Sequence, residues 1–149
     1  MTGQERIRAA LVALLQSVPG TGRVHNFERF SKNPKDFQTL YQQGQNIQGF
    51  YVRRQSWREL PFSSIRNRGR TRWLIQGCAS LRDADATELA FDALLDALGA
   101  AVRARPVLAD ADGWEFHTVT DDGGAGLQLE ESGPVMFAGV LGHGAKFSL

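Results

Sequence analysis

The sequence predicts one α+β domain spanning residues 1–149, two helices packed on a mixed or antiparallel β-sheet. Three observations carry this. Two stretches hold apolar residues at helical spacing: Ile7, Leu11, Leu14, Leu15 and Val18, then Ala90, Phe91, Leu94, Leu95, Leu98 and Val102. Other stretches, rich in β-branched and aromatic residues, alternate at the two-residue period of a strand. The chain of 149 residues, 42% hydrophobic and 22% charged, is also large enough to bury a core without staples.

The first helix opens at Thr2, three residues before Glu5, which is the spacing of a capping box. Pro19-Gly20 ends it. Residues 21–48 follow as an extended loop anchored by Val24, Phe27 and Phe30. Within it, Phe37, Leu40 and Tyr41 have the i, i+3, i+4 spacing of a short helix over Asp36–Gln43, and 42–46 reads as loop. Two strands come next, Ile47–Glu59 and Arg70–Leu81. Each carries apolar residues on both faces, Phe50 and Val52 against Ile47, Tyr51 and Trp57 in one, Trp73 and Ile75 against Leu74 and Cys78 in the other. That pattern marks central strands. Between them, Pro61–Gly69 reads as a turn with a basic tip.

The second helix is expected to be capped by Asp85, with Glu88 three residues on, and to stop before Pro106. Its early acids and its late Arg103 and Arg105 suit the helix dipole. Trp114–Val119 then alternates as a strand, Asp121-Asp122-Gly123-Gly124 is a turn, and Leu127 and Leu129 mark a short strand. Ser132-Gly133-Pro134 is another turn before a final strand, Val135–Leu149.

The net charge of +1 conceals a division along the chain. Residues 23–72 hold eleven basic residues against three acids, a balance of +8, while residues 73–149 hold four against twelve, a balance of −8. Such asymmetry suits a polyanion partner or docking between copies of the chain. The basic block supplies the candidate assembly or lumen surface: Arg53, Arg54, Arg58, Arg66, Arg68, Arg70 and Arg72. No apolar run reaches the length of a membrane span, and Met1–Arg6 lacks the core of a signal peptide. The single cysteine, Cys78, has no partner for an internal disulfide, which points to a reducing compartment.

No catalytic, cofactor-binding or metal-ligating motif stands out. Gly20-Thr21-Gly22 follows a helix and lacks the third glycine of a dinucleotide fingerprint. Gly123-Gly124-Ala125-Gly126 has no lysine after it and reads as a hairpin turn, not a P-loop. His25, His117 and His143 lack the close companions of metal sites, and Asp110, Asp112 and Gly113 are a fragment of a calcium loop without its closing glutamate. The chain is therefore expected to be no enzyme and to need no cofactor.

As a whole, the chain resembles the tail terminator, or tail completion, proteins of long-tailed bacteriophages. The likeness rests on the opening helix Ile7–Val18, the strands Phe50–Trp57 and Trp73–Ala79, the acidic helix Thr87–Arg103 and the closing strand Val135–Leu149. The stretch Gly22–Phe30, with its Val-His-Asn-Phe-Glu-Arg run, is also similar to small phage tail proteins. The resemblance implies a structural virion protein of the tail or neck, made in the host cytoplasm. It would self-assemble as a hexameric ring, cap the tail tube and dock to the head–tail connector; in such a ring the basic segments would either meet acids of a neighbouring copy or face the lumen, in non-specific contact with DNA. Another head–tail connector or neck protein, or a sequence-independent nucleic-acid-binding module, would share much of this pattern.

Overall fold

At the start of the chain the Thr2 hydroxyl accepts the Glu5 amide at 3.3 Å, and the Glu5 carboxylate accepts the Thr2 amide at 2.5 Å. The expected capping box thus opens helix α1, Gly3–Gln16, which buries Leu11, Leu14 and Leu15. The computed structural model describes residues 2–29, 33–43, 46–118, 125–137 and 139–149. Phe30, Gly44, Gln45, Val119 and the expected turn Asp121–Gly124 lie outside the described residues.

The stretch 21–48, expected as an extended loop, carries three short elements. Strand β1, Arg23–His25, runs parallel to the third strand, a pairing too short and too distant in sequence to leave a local pattern. Helix α2, Pro34–Tyr41, starts two residues earlier than expected, because Asn33 accepts the Asp36 amide at 3.0 Å and Pro34 is preset for the first helical position. Strand β2 is Gln42–Gln43.

Two long strands follow, β3 (Asn46–Ser63) and β4 (Arg66–Ser80), then helix α3 (Thr87–Ala104). Asp85 does not cap α3. Asp83–Asp85 form a short 3-10 turn, Ala86 is the N-cap in the left-handed region, and the Thr87 hydroxyl instead accepts the Arg82 amide at 2.9 Å. Beyond α3, β5 (Val107–Ala109) and β6 (Glu115–His117) form a small antiparallel pair. Strands β7 (Gln128–Phe137) and β8 (Val140–Ser148) close the chain as a hairpin where a single final strand was expected.

Ser132-Gly133-Pro134, expected as a turn, lies inside β7. That strand is the edge of the sheet, where a proline without an N–H is tolerated. The reversal comes instead at Gly139, whose φ of +82° suits glycine.

The result is the expected α+β domain: a mixed six-stranded sheet, β1-β3-β4-β8-β7 with β2 on the end of β3, packed, among the described residues, by the two long helices and the short α2. As the two-faced pattern requires, β3 and β4 are central. One face packs Phe50, Val52, Trp73, Ile75 and Phe147 against α1 and α3. The other sets Tyr51 and Cys78 under Phe37 and Tyr41 of α2.

Candidate assembly surface

The basic block of the sequence becomes an arm. Strand β8 pairs with β4 from Leu74 to Ser80, with Leu149 closing on Trp73, and β1 pairs with β3 only over Gly49–Tyr51. Past Arg54 and Trp73, β3 and β4 continue together from Ser56↔Arg72 to Ser63↔Arg66, with no third strand among the described residues. At about 3.3 Å per residue, ten residues from Arg54 to Ser63 reach roughly 30 Å. The expected turn Pro61–Gly69 is therefore almost wholly strand, and only Ser64 and Ile65 form the bend. The two strands pair across it with a register shift between Pro61 and Ser63, and such an irregularity accommodates proline.

Register decides where the arginines point. Directly opposed residues of an antiparallel pair share a face, and successive residues alternate. Arg66, Arg68, Arg70 and Arg72 stand at every second position of β4, on the face that carries Cys78 and α2 farther along the strand. In β3, Arg53 opposes Leu74 on that same face, and Arg54 opposes Trp73 on the other. A bulge at Gln55 then adds one residue and reverses the alternation, so Arg58 falls opposite Arg70. Six of the seven candidate arginines thus share one face, and Arg54 alone lies on the side of α1 and α3.

Arg53 and Arg72, at the base, and Arg58 and Arg70, farther along, all make interactions within the chain. Arg53 holds Glu28 at 2.6 Å, and Arg72 holds Glu130 at 2.9 Å and the Ser148 hydroxyl at 3.2 Å. Toward the tip, Arg68 stacks 4.4 Å over the Phe62 ring. The arm also exposes apolar side chains: Trp57 is 52% exposed, Phe62 60% and Ile65 87%. Trp57, which shares a sequence-level set with Tyr51, is carried by the Gln55 bulge to the opposite face and is exposed because it stands on the arm, beyond the part of the sheet that the helices cover.

On the helix side, at the foot of the arm, a cleft of about 590 Å³ lies between Ile7, Leu11, Leu108, Trp114 and Phe116 and the stretch Arg68–Thr71 of β4, with Gln4 bonding Thr71 at 2.9 Å. None of the groups with displaced ionisation lines it. Burial pushes the Cys78 thiol up to about 12 and raises both Tyr41 and Tyr51, the latter also beside Glu28. The Arg6 guanidinium, bonded at 2.7 Å, holds the Asp110 carboxyl below its usual range. Asp110 and Asp112 both bind Arg6, so that calcium-like fragment is a salt-bridged turn.

The histidines are separated. His25 donates to the Leu40 carbonyl at 2.8 Å, His143 stacks on Phe91 with Thr87 2.8 Å away, and His117 sits on β6. Among the described residues no three His, Cys, Asp or Glu side chains gather in a metal-ligating group, and no helix is long and apolar enough to cross a membrane. Comparison with protein-family models, curated proteins and solved structures finds no match.

Proposed function

We propose that the chain is a structural phage protein, a tail terminator whose copies assemble into a ring, a hexamer by the resemblance, that caps the tail tube and docks to the head–tail connector. The observation that carries this reading is the arm. A two-stranded hairpin standing alone in water is marginal, and three strands or a covering element are ordinarily needed. This one extends about 30 Å, bears a row of arginines on one face and ends in the exposed Phe62 and Ile65. Among the described residues no strand or helix covers it beyond its foot, and a second copy would supply that cover. The opposed charge of the rest of the chain supplies a complementary surface on another copy, as a heterologous ring contact requires.

The arginine spacing favours a second reading, a sequence-independent nucleic-acid-binding module, because cations repeated about 6.8 Å apart suit a polyanion. Solution mass and salt response separate the two. A tail terminator forms a DNA-free multimer, visible as a ring by negative-stain electron microscopy. A chain that stays monomeric across the accessible concentration range, and binds DNA with an affinity falling steeply with salt, would remove the ring.

A further inference from the structure

We infer that the arginine face of the arm docks on the outer face of helix α3 of the next copy, its arginines against Glu88, Asp92 and Asp96. This rests on the ring reading and names the two surfaces that meet in it.

Helix α3 carries a row of three acids that no ion pair among the described residues engages. Glu28, Glu130, Glu131 and the Asp110–Asp112 pair already hold an arginine or lysine within 3.4 Å. Glu88, Asp92 and Asp96 are exposed, and among the described residues none has an ion-pair partner. They stand at i, i+4 and i+8, where like charges repel along a helix. Beside them, directly opposite the buried stripe of Phe91, Leu95 and Leu98, runs the line Leu89, Ala93 and Ala97. Leu89 is 71% exposed. The outer face of α3 is thus a low apolar strip flanked by a carboxylate row, open to close approach by a flat strand.

The repeats of the two surfaces agree. Carboxylates at i, i+4 advance about 6 Å per step along a helix. Arginines at i, i+2 advance about 6.8 Å per step along a strand. Over three rungs, Arg66, Arg68 and Arg70 against Glu88, Asp92 and Asp96, the mismatch is about 1.6 Å, well within the reach of flexible arginine side chains. Leu60, opposite Arg68 on the same face, meets the alanine strip.

The pairing cannot close within one chain. Helix α3 packs on the Phe50, Ile75 and Phe147 face of the sheet, whereas the arginine face of the arm continues the opposite, α2-covered face. The outer side of α3 is turned farther away still. Donor and acceptor surfaces differ, so the contact is heterologous, and its repetition closes a ring or runs on as a filament.

The test is a charge exchange between the two surfaces. One variant carries Arg66→Glu, Arg68→Glu and Arg70→Glu, and the other carries Glu88→Lys, Asp92→Lys and Asp96→Lys. Five of the six positions are exposed and Arg70 is half-buried, so circular dichroism checks that each variant folds. By light scattering each variant alone should fall toward the 16.4 kDa single chain. Mixed in equal amounts, they should recover the wild-type mass, because the acidic arm of one meets the basic helix of the other in alternation. Wild-type multimers that persist in the α3 variant, or a mixture that stays dissociated, would overturn the docking while leaving the ring. A monomeric wild type would overturn both. An arm variant that loses only DNA binding, with assembly intact, would assign the arginine face to nucleic acid instead.

Discussion

Gly77 lies on a central strand, a costly place for glycine, directly opposite Phe50, which is fully buried. A Cβ at position 77 would fall 2.6 Å from Phe50 Cδ1 and 2.7 Å from Cζ, and closer still to Cε1. Ordinary contact begins near 3.4 Å, so the ring must retreat by about 1 Å. It has little room to do so: Phe50 is packed in the same cluster as Leu11, Leu15, Leu94 and Leu98. Gly77→Ala is therefore expected to cost about 3 kcal/mol, the upper part of the overpacking range. For a chain of this length that lowers Tm by roughly 6–12 °C. Phe50→Leu removes three ring carbons and costs about 2 kcal/mol by itself at roughly 0.8 kcal/mol per carbon. Combined with Gly77→Ala, it makes room for the new methyl, so the double variant should lose at least about 1 kcal/mol less than the sum of the two. Urea unfolding at one fixed protein concentration measures all three, since self-association would shift the midpoint. A Gly77→Ala loss below about 0.5 kcal/mol, or strict additivity with Phe50→Leu, would refute the account of why glycine stands there.

Other expectations are simpler to state. Leu95→Ala on the buried stripe of α3 should cost about 2–5 kcal/mol, and a urea-unfolding loss under about 0.5 kcal/mol would put that stripe outside the core. Thr2→Ala removes the capping-box hydroxyl and should cost about 1 kcal/mol by the same measurement, with no change if α1 is held by packing alone. Cys78, buried under α2, should react with a thiol reagent at pH 8 only on unfolding; prompt labelling of the native chain would contradict its burial. Its thiol is raised in the fold from 9.0 to about 12. Between those values the unfolded chain sheds a proton that the fold retains, so stability falls as pH rises. Cys78→Ala should flatten that fall, and an identical slope in both proteins would dismiss the thiol as its source.

The two long helices were legible from the sequence because helix formation is local. The Thr2–Glu5 box, the 3.6-residue stripes and Pro106 all act within a few residues, and α1 and α3 form where they say. The cores of β3 and β4 were legible too, since Phe50, Val52, Trp73 and Ile75 alternate cleanly where a helix layer covers them. What sequence could not decide is set by pairing between distant segments. Three residues of β1 and the edge position that admits Pro134 into β7 leave no period to read. Nor does composition distinguish a basic turn from the pair of strands that Arg66–Gly69 and Pro61–Ser63 make by zipping together. The arginines were visible as a charge block, and their common face was not. One extra residue at Gln55 reverses the side chains from Ser56 to Pro61, and only the register of β3 on β4 reveals that Arg58 joins Arg66, Arg68, Arg70 and Arg72 while Arg54 and Trp57 do not.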